Sequence, residues 1–230
     1  EEKKEEEKEG EHSGGHDAKG KGKGKAEEGP DPFEDPVEAS AQKLRALPAA
    51  ERQAEIDRLI VKAEQVLARG QNKRAQEVLA LVLKFEPTGK CKARAQLRLA
   101  DAILMDQEQP LQVRTQDALK LYAEIVLDFP NLEYAERAQF QLGASLLACG
   151  KPADAAQALA QYSARYPGGA YSAEARLAEA EALLLLDKQA RAVELLQQLH
   201  QEDLPAKLKS DVAVRLANAK LSMARQGRYP

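Results

Sequence analysis

The side chains that could do chemistry in this sequence are few and scattered. His12 and His16, in the string His-Ser-Gly-Gly-His, are four residues apart and could share a metal ion weakly. The mixed-charge, glycine-rich residues around them favour plain linker histidines instead. His200 and the two cysteines, Cys91 and Cys149, stand apart from that pair and from one another. Catalysis wants a base, a nucleophile or a metal cluster gathered in one pocket. No Cys/His group here has metal-ligand spacing, no glycine-rich phosphate loop occurs, and Ser and Thr are scarce. Acidic residues with basic neighbours at i,i+4 read as solvated pairs on helix surfaces. His200 sits near a helix end, where an imidazole more often meets terminal carbonyls. The reading is a non-enzymatic chain with no cofactor and no metal.

If these residues do not react, the elements that carry them must do something else. The 230 residues are 43% apolar and 31% charged, without Trp, and abundant in Ala, Leu, Gln and Glu. That balance favours helix over sheet. The formal charge of −3 belongs to residues 1–30, which hold ten acids and seven lysines, while residues 31–230 balance 27 acids against 27 bases. A neutral mixed surface is poor at neutralising phosphates, so nucleic acid is not expected as a partner. No run of eighteen apolar residues is present, so a membrane would be reached only indirectly, through an upstream anchor.

Residues 1–30 have no aliphatic side chain larger than Ala and include seven glycines, which predicts a disordered, charged tether over 1–35. Pro36 and Pro48 bracket a short helix, Val37–Leu47. Beyond it a pattern begins. Around Ala63 stand Gly70, Ala75 and Pro87, at offsets of 7, 12 and 24; around Gly143 stand Gly150, Ala155 and Pro167, at the same offsets. Ala118, Ala155 and Ala192 are 37 apart, as are Pro130 and Pro167, Tyr134 and Tyr171, and Ala180 and Ala217. Small residues at fixed offsets, a glycine between them and a closing proline describe a helical hairpin that must stack on its copies to bury its apolar face.

The hairpins are expected at about 50–87, 88–130, 131–167 and 168–205, with 206–230 as a capping helix. Ala63, Ala100, Gly143 and Ala180 would meet Ala75, Ala118, Ala155 and Ala192 where paired helices cross. The second hairpin is six residues longer than the others, and the excess is placed in a loop, Asp106–Thr115, before a helix Gln116–Phe129. Phe129, Tyr134, Tyr166 and Tyr171 are expected to plug junctions between hairpins. Cys91 and Cys149 fall at opposite ends of neighbouring first-helices, roughly 20 Å apart at 1.5 Å per residue. That predicts two free thiols.

The Leu142-Gly143, Gly150, Ala155 and Pro167 spacing resembles the tetratricopeptide repeat. The resemblance implies an all-α, right-handed α-solenoid of about four helix–turn–helix repeats that binds other proteins. The period here is 37 where the family usually has 34, the signature Trp is missing, and Tyr162 stands at a usual Ala position. The strings Phe129-Pro130-Asn-Leu-Glu-Tyr134-Ala135-Glu-Arg-Ala138 and Tyr166-Pro167-Gly-Gly-Ala-Tyr171-Ser-Ala-Glu-Ala175 are similar to segments of bacterial envelope members, the outer-membrane-assembly lipoproteins and the Tol–Pal coordinator, although a Ser usual there is absent. This implies a scaffold in a periplasmic or envelope-associated complex, with a permanent structural subunit and a cytoplasmic adaptor as alternatives.

The family's geometry directs offsets −6, −3 and +1 from each crossing residue toward the concave face. The partner-binding candidates are therefore Asp57, Ile60 and Glu64; Arg94, Leu97 and Asp101; Arg137, Phe140 and Ala144; Glu174, Leu177 and Glu181. Alternating apolar and charged residues suit an amphipathic or extended protein segment. Arg94 and Arg137 could pair with its acids. The alternative for Leu97, Phe140 and Leu177 is packing between repeats.

Overall fold

A computed structural model describes residues 37–226 of the chain. The tether, the His12/His16 pair, Pro36 and the last four residues lie outside the described part. The described residues form ten helices and no strand: α1 (Val37–Ala46), α2 (Ala49–Ala68), α3 (Asn72–Lys84), α4 (Gly89–Met105), α5 (Leu111–Asp128), α6 (Glu133–Ala148), α7 (Pro152–Arg165), α8 (Ser172–Leu185), α9 (Gln189–Gln201) and α10 (Ala206–Arg225).

Helices α2/α3, α4/α5, α6/α7 and α8/α9 are the four hairpins, each packed on the next. The first-helices α2, α4, α6, α8 and α10 also touch along a row. Among the described residues, α3, α5, α7 and α9 do not approach one another closely. First-helices close together and second-helices splayed apart make the first-helix side the concave one.

All eight small residues expected at the crossings are buried. Gly143 shows why they are small. A Cβ added there would lie 2.5 Å from Cγ and 2.7 Å from Cδ2 of Leu159 on α7, inside any real carbon–carbon contact. Around these points pack Ile56, Leu79, Tyr122, Leu159 and Leu196. Each fully buried aliphatic side chain contributes about 1.5–3 kcal/mol.

The turns inside three hairpins repeat as well. Gly70 (φ +79°) and Gly150 (φ +71°) take the left-handed cap, and Asp187 (φ +56°) takes it in the fourth hairpin. The paired Schellman bonds are present each time; in the third, Gly150 N–H donates to the Leu147 carbonyl and Lys151 N–H to that of Leu146, both at 3.0 Å. Asp tolerates this backbone because its short side chain can bond locally, and here Gln189 Nε2 donates to the Asp187 carboxylate at 3.2 Å.

The expected loop Asp106–Thr115 is only half loop. Leu111–Thr115 are the first turn and more of α5, so the longer hairpin puts four of its six extra residues into its second helix and two into its connection. Pro110 (φ −56°, ψ 139°) leads into the helix, its carbonyl accepts from Val113 and Arg114 N–H, and the Thr115 hydroxyl donates to the Leu111 carbonyl. Arg114 ties the loop down by donating to the carbonyls of Leu104 (2.9 Å) and Asp106 (3.1 Å). Both cysteines are free thiols.

Helix α10 stands at the end of the described stack, packed on α9 and α8. Ala217 on α10, one period after Ala180, is exposed where its counterparts are buried, because no described helix crosses it.

The Gly143–Leu159 crossing yields the first test. Gly143→Val is expected to lower unfolding stability by about 1–3 kcal/mol through overpacking, measured by urea denaturation followed by circular dichroism. Ala164→Val, on an exposed position of the same hairpin, should change it by no more than about 0.5 kcal/mol.

Candidate functional site

A line of charges runs across the concave side, built from residues one period apart. At the start, Glu64 of α2 lies one residue past the crossing point and faces α4. Arg94 grips it with two bonds, Nε to Oε1 at 3.0 Å and Nη2 to Oε2 at 2.5 Å, and Arg98 Nε adds a third at 2.7 Å. One repeat on, Asp101 of α4 holds the equivalent position and accepts from Arg137 Nη2 of α6 at 2.8 Å. The Tyr122 hydroxyl, reaching in from α5, donates to the other Asp101 oxygen at 3.0 Å. Further along, Arg215 of α10 donates to Glu181 of α8. The third repeat has Ala144 where an acid would stand, so the line breaks between α6 and α8.

The two carboxylates are held differently. Partial burial pushes the Glu64 carboxyl up, but the bonds from Arg94 and Arg98 outweigh it and bring it below its ordinary 4.5. Asp101 is nearly sealed off, and burial raises its carboxyl above the ordinary range despite the opposing pull of Arg137, Tyr122 and Arg98. Burial, followed by the Asp101 charge and bond, drives the Tyr122 hydroxyl well above its ordinary range, so it remains a proton donor.

Between α2, α4 and α6 these groups border a cleft of about 310 Å³, lined by Glu64, Leu67, Ala68, Arg98, Asp101, Met105 and Arg137. Its apolar side is Leu67, Ala68 and Met105, and the Met105 side chain is 55% exposed. With Arg94 counted, three guanidinium groups stand against two carboxylates. That can hold an apolar side chain beside an acidic one; nothing in it resembles a nucleophile paired with a base.

The concave-face candidates therefore divide. Glu64, Asp101 and Arg137 meet in the cleft, and Arg94 joins them through Glu64. Asp57 is half-buried and accepts a bond from the Cys91 thiol at 2.8 Å. Burial, then that bond, pushes the thiol up to about 11, so it stays protonated and unreactive at neutral pH. Ile60, Leu97 and Leu177 are buried. Their −3 position turns only about 60° from the crossing direction at 100° per residue, so the neighbouring helices close over it. They are packing residues, not surface. Phe140 is half-buried, stacked on Tyr171 at 4.9 Å and edge-on to Tyr162 at 6.2 Å. It forms part of the junction between the third and fourth repeats. There Glu136 also accepts from the Tyr162 hydroxyl (2.8 Å) and from Ala170 N–H (2.6 Å). Glu174 is exposed and Glu181 half-buried, both outside the cleft.

Arg98, Leu67, Ala68 and Met105 are cleft residues that the offsets miss. Arg98 had a signal, since it follows Arg94 by four residues and shares its face. Met105 lies at a helix end, where periodicity weakens. Among the described residues no group of three or more His, Cys, Asp and Glu could hold a metal ion, and no helix is long and apolar enough to cross a membrane.

No family model matches the chain, and no curated protein matches it. Two crystal structures of nearly identical TPR-like repeats from a Podosopora anserina protein described as a kinesin light chain are similar to it. One of them, a singly substituted form, is 18% identical with a TM-score of 0.60, covering 76% of this chain and 89% of that one. The second has the same identity, TM-score and coverage of this chain, and 90% of that chain is covered. The likeness is one of fold: a solenoid of tetratricopeptide-like repeats.

The Glu64 pairs make the next prediction. A carboxyl held below its unfolded value stabilises the fold above that value, and the stabilisation is lost as pH falls through the lower, folded one. Glu64→Gln should therefore melt below the parent at pH 7, by the equivalent of up to about 1 kcal/mol since the pair is partly screened. The gap should close towards pH 3 in circular-dichroism melts; a gap that widens on acidification contradicts this account.

Proposed function

We propose that this chain is a non-enzymatic scaffold that holds a segment of a partner protein in the cleft between α2, α4 and α6. The observation that carries the reading is the cleft's composition. An exposed methionine, with Leu67 and Ala68, lies beside the guanidinium groups of Arg98 and Arg137 on a stack of helices. Methionine adapts its shape to whatever packs on it, and guanidinium groups receive carboxylates with two parallel bonds. An amphipathic segment with an aliphatic side chain next to Asp or Glu fits both. Charge contributes mainly to encounter rate and orientation, and the apolar contact to residence.

The complex proposed is one of the bacterial envelope. What supports this is sequence: the Phe129–Ala135 and Tyr166–Ser172 strings, whose aromatic and proline residues sit at the repeat junctions. The fold itself is shared too widely to favour a compartment.

The expected outcome is tested with two exposed apolar residues on different helices. Met105→Asp in the full chain should weaken capture of a crosslinked cellular partner by about tenfold or more. Leu127→Asp on α5, 77% exposed and outside the cleft, should leave capture unchanged. Both variants should keep the parent's helical circular dichroism. Capture that survives Met105→Asp and is lost with Leu127→Asp would move the binding surface to the second-helix side.

A further inference from the structure

An exposed apolar row on α10 stands apart from the cleft. In the first repeat the crossing residue and its neighbours at −3 and +4 are Ala63, Ile60 and Leu67; in the fourth they are Ala180, Leu177 and Leu184. All are buried or half-buried. The same three places on α10 are Ala217, Val214 and Leu221, and all three are exposed, Val214 at 56% and Leu221 at 51%. Helix α10 packs on α9 and α8 through Val212, Leu216 and Ala219, about half a turn away. Among the described residues it is thus a fifth first-helix whose crossing face no helix crosses. A solenoid cap normally offers a polar outer face; this one offers Val, Ala and Leu in line.

What covers this surface is answered four times within the chain. The preceding crossing faces each receive a second-helix with a small residue, then apolar residues three, four and seven positions on, all of them larger than Ala except Ala158. In α9 these are Ala192, Leu195, Leu196 and Leu199, all buried. Charge narrows the occupant. Helix α10 has five bases (Lys207, Lys209, Arg215, Lys220, Arg225) and one acid, Asp211. Arg215 is engaged by Glu181, which leaves the rest in excess. Two copies of α10 facing each other would bring like charges together, whereas an acidic helix would be attracted.

We propose that the Val214–Ala217–Leu221 face of α10 is a docking site for an acidic amphipathic helix of a partner protein, seated as a second-helix seats in each repeat. The helix carries a small residue at the crossing and apolar residues three, four and seven places after it. The partner thereby completes a fifth repeat.

The probe is a labelled synthetic peptide of residues 187–203, the chain's own second-helix pattern with four acids against two bases. Fluorescence anisotropy with the full chain should show binding in the range of about 10–100 µM, as expected for a short helix that must fold as it binds. Val214→Gln and Leu221→Gln, both at exposed positions, should each weaken it at least about fivefold while melting stays unchanged. Met105→Asp should have no effect, which separates this site from the cleft. Three results would overturn the proposal. One is no binding at about 1 mM peptide. Another is binding that the α10 variants leave intact, as exchange with the resident α9 would give. The third is sedimentation showing a dimer of the chain alone that Leu221→Gln dissolves, since a second copy would then be the occupant.

Discussion

Paired helices in this chain touch at points where one of the two facing side chains has to be very small. At Gly143 and Leu159 the limit is visible in ångströms, because a single added methyl group would overlap the leucine. That close approach lets Tyr122 reach across from a second-helix to Asp101. It sets the rotation of each hairpin, so residues one step past the crossing point toward the next first-helix. Glu64 and Asp101 each stand one residue past a crossing alanine, and that rotation aims them at arginines of the next first-helix. The polar line across the concave side therefore depends on the smallest residues in the sequence.

The same spacing explains why the cleft and the α10 face are left uncovered. Where one repeat follows another, the next first-helix and the hairpin's own partner cover the −3 position, and Ile60, Leu97 and Leu177 become core. The cleft opens among the first three first-helices, where Met105 ends α4 and arginines from α4 and α6 converge. On α10 the covering helix is absent among the described residues, and residues of the same repeat register turn outward. A position that is core in the first repeat and surface in the fifth differs only in what lies beside it.

The polar network changes character along the stack. Glu64, between two arginines and half-exposed, is held ionised, whereas Asp101, almost sealed, is pushed toward protonation by burial. Between the third and fourth repeats, where Ala144 interrupts the charges, an aromatic group of Phe140, Tyr162 and Tyr171 with Glu136 takes over the coupling. Ionic contacts thus link the first three repeats and aromatic ones the next junction.

Hairpin number, the 37-residue period, the crossing residues and the left-handed turns at Gly70 and Gly150 could all be read from the residues in order. Each depends on contacts within one hairpin: a missing Cβ, a left-handed φ, a proline that ends a helix. Leu111–Thr115 could not be read as helix, because polar Gln112, Arg114 and Thr115 suit a loop as well, and it is the bonds of Arg114 and Thr115 that tip the balance. Nor could the sequence say that Arg98 would join Arg94 on Glu64, that Ile60 would be core, or that Val214 would be bare. Those outcomes belong to the tertiary structure, since they depend on the angle between helices thirty or more residues apart and on whether a further helix lies alongside.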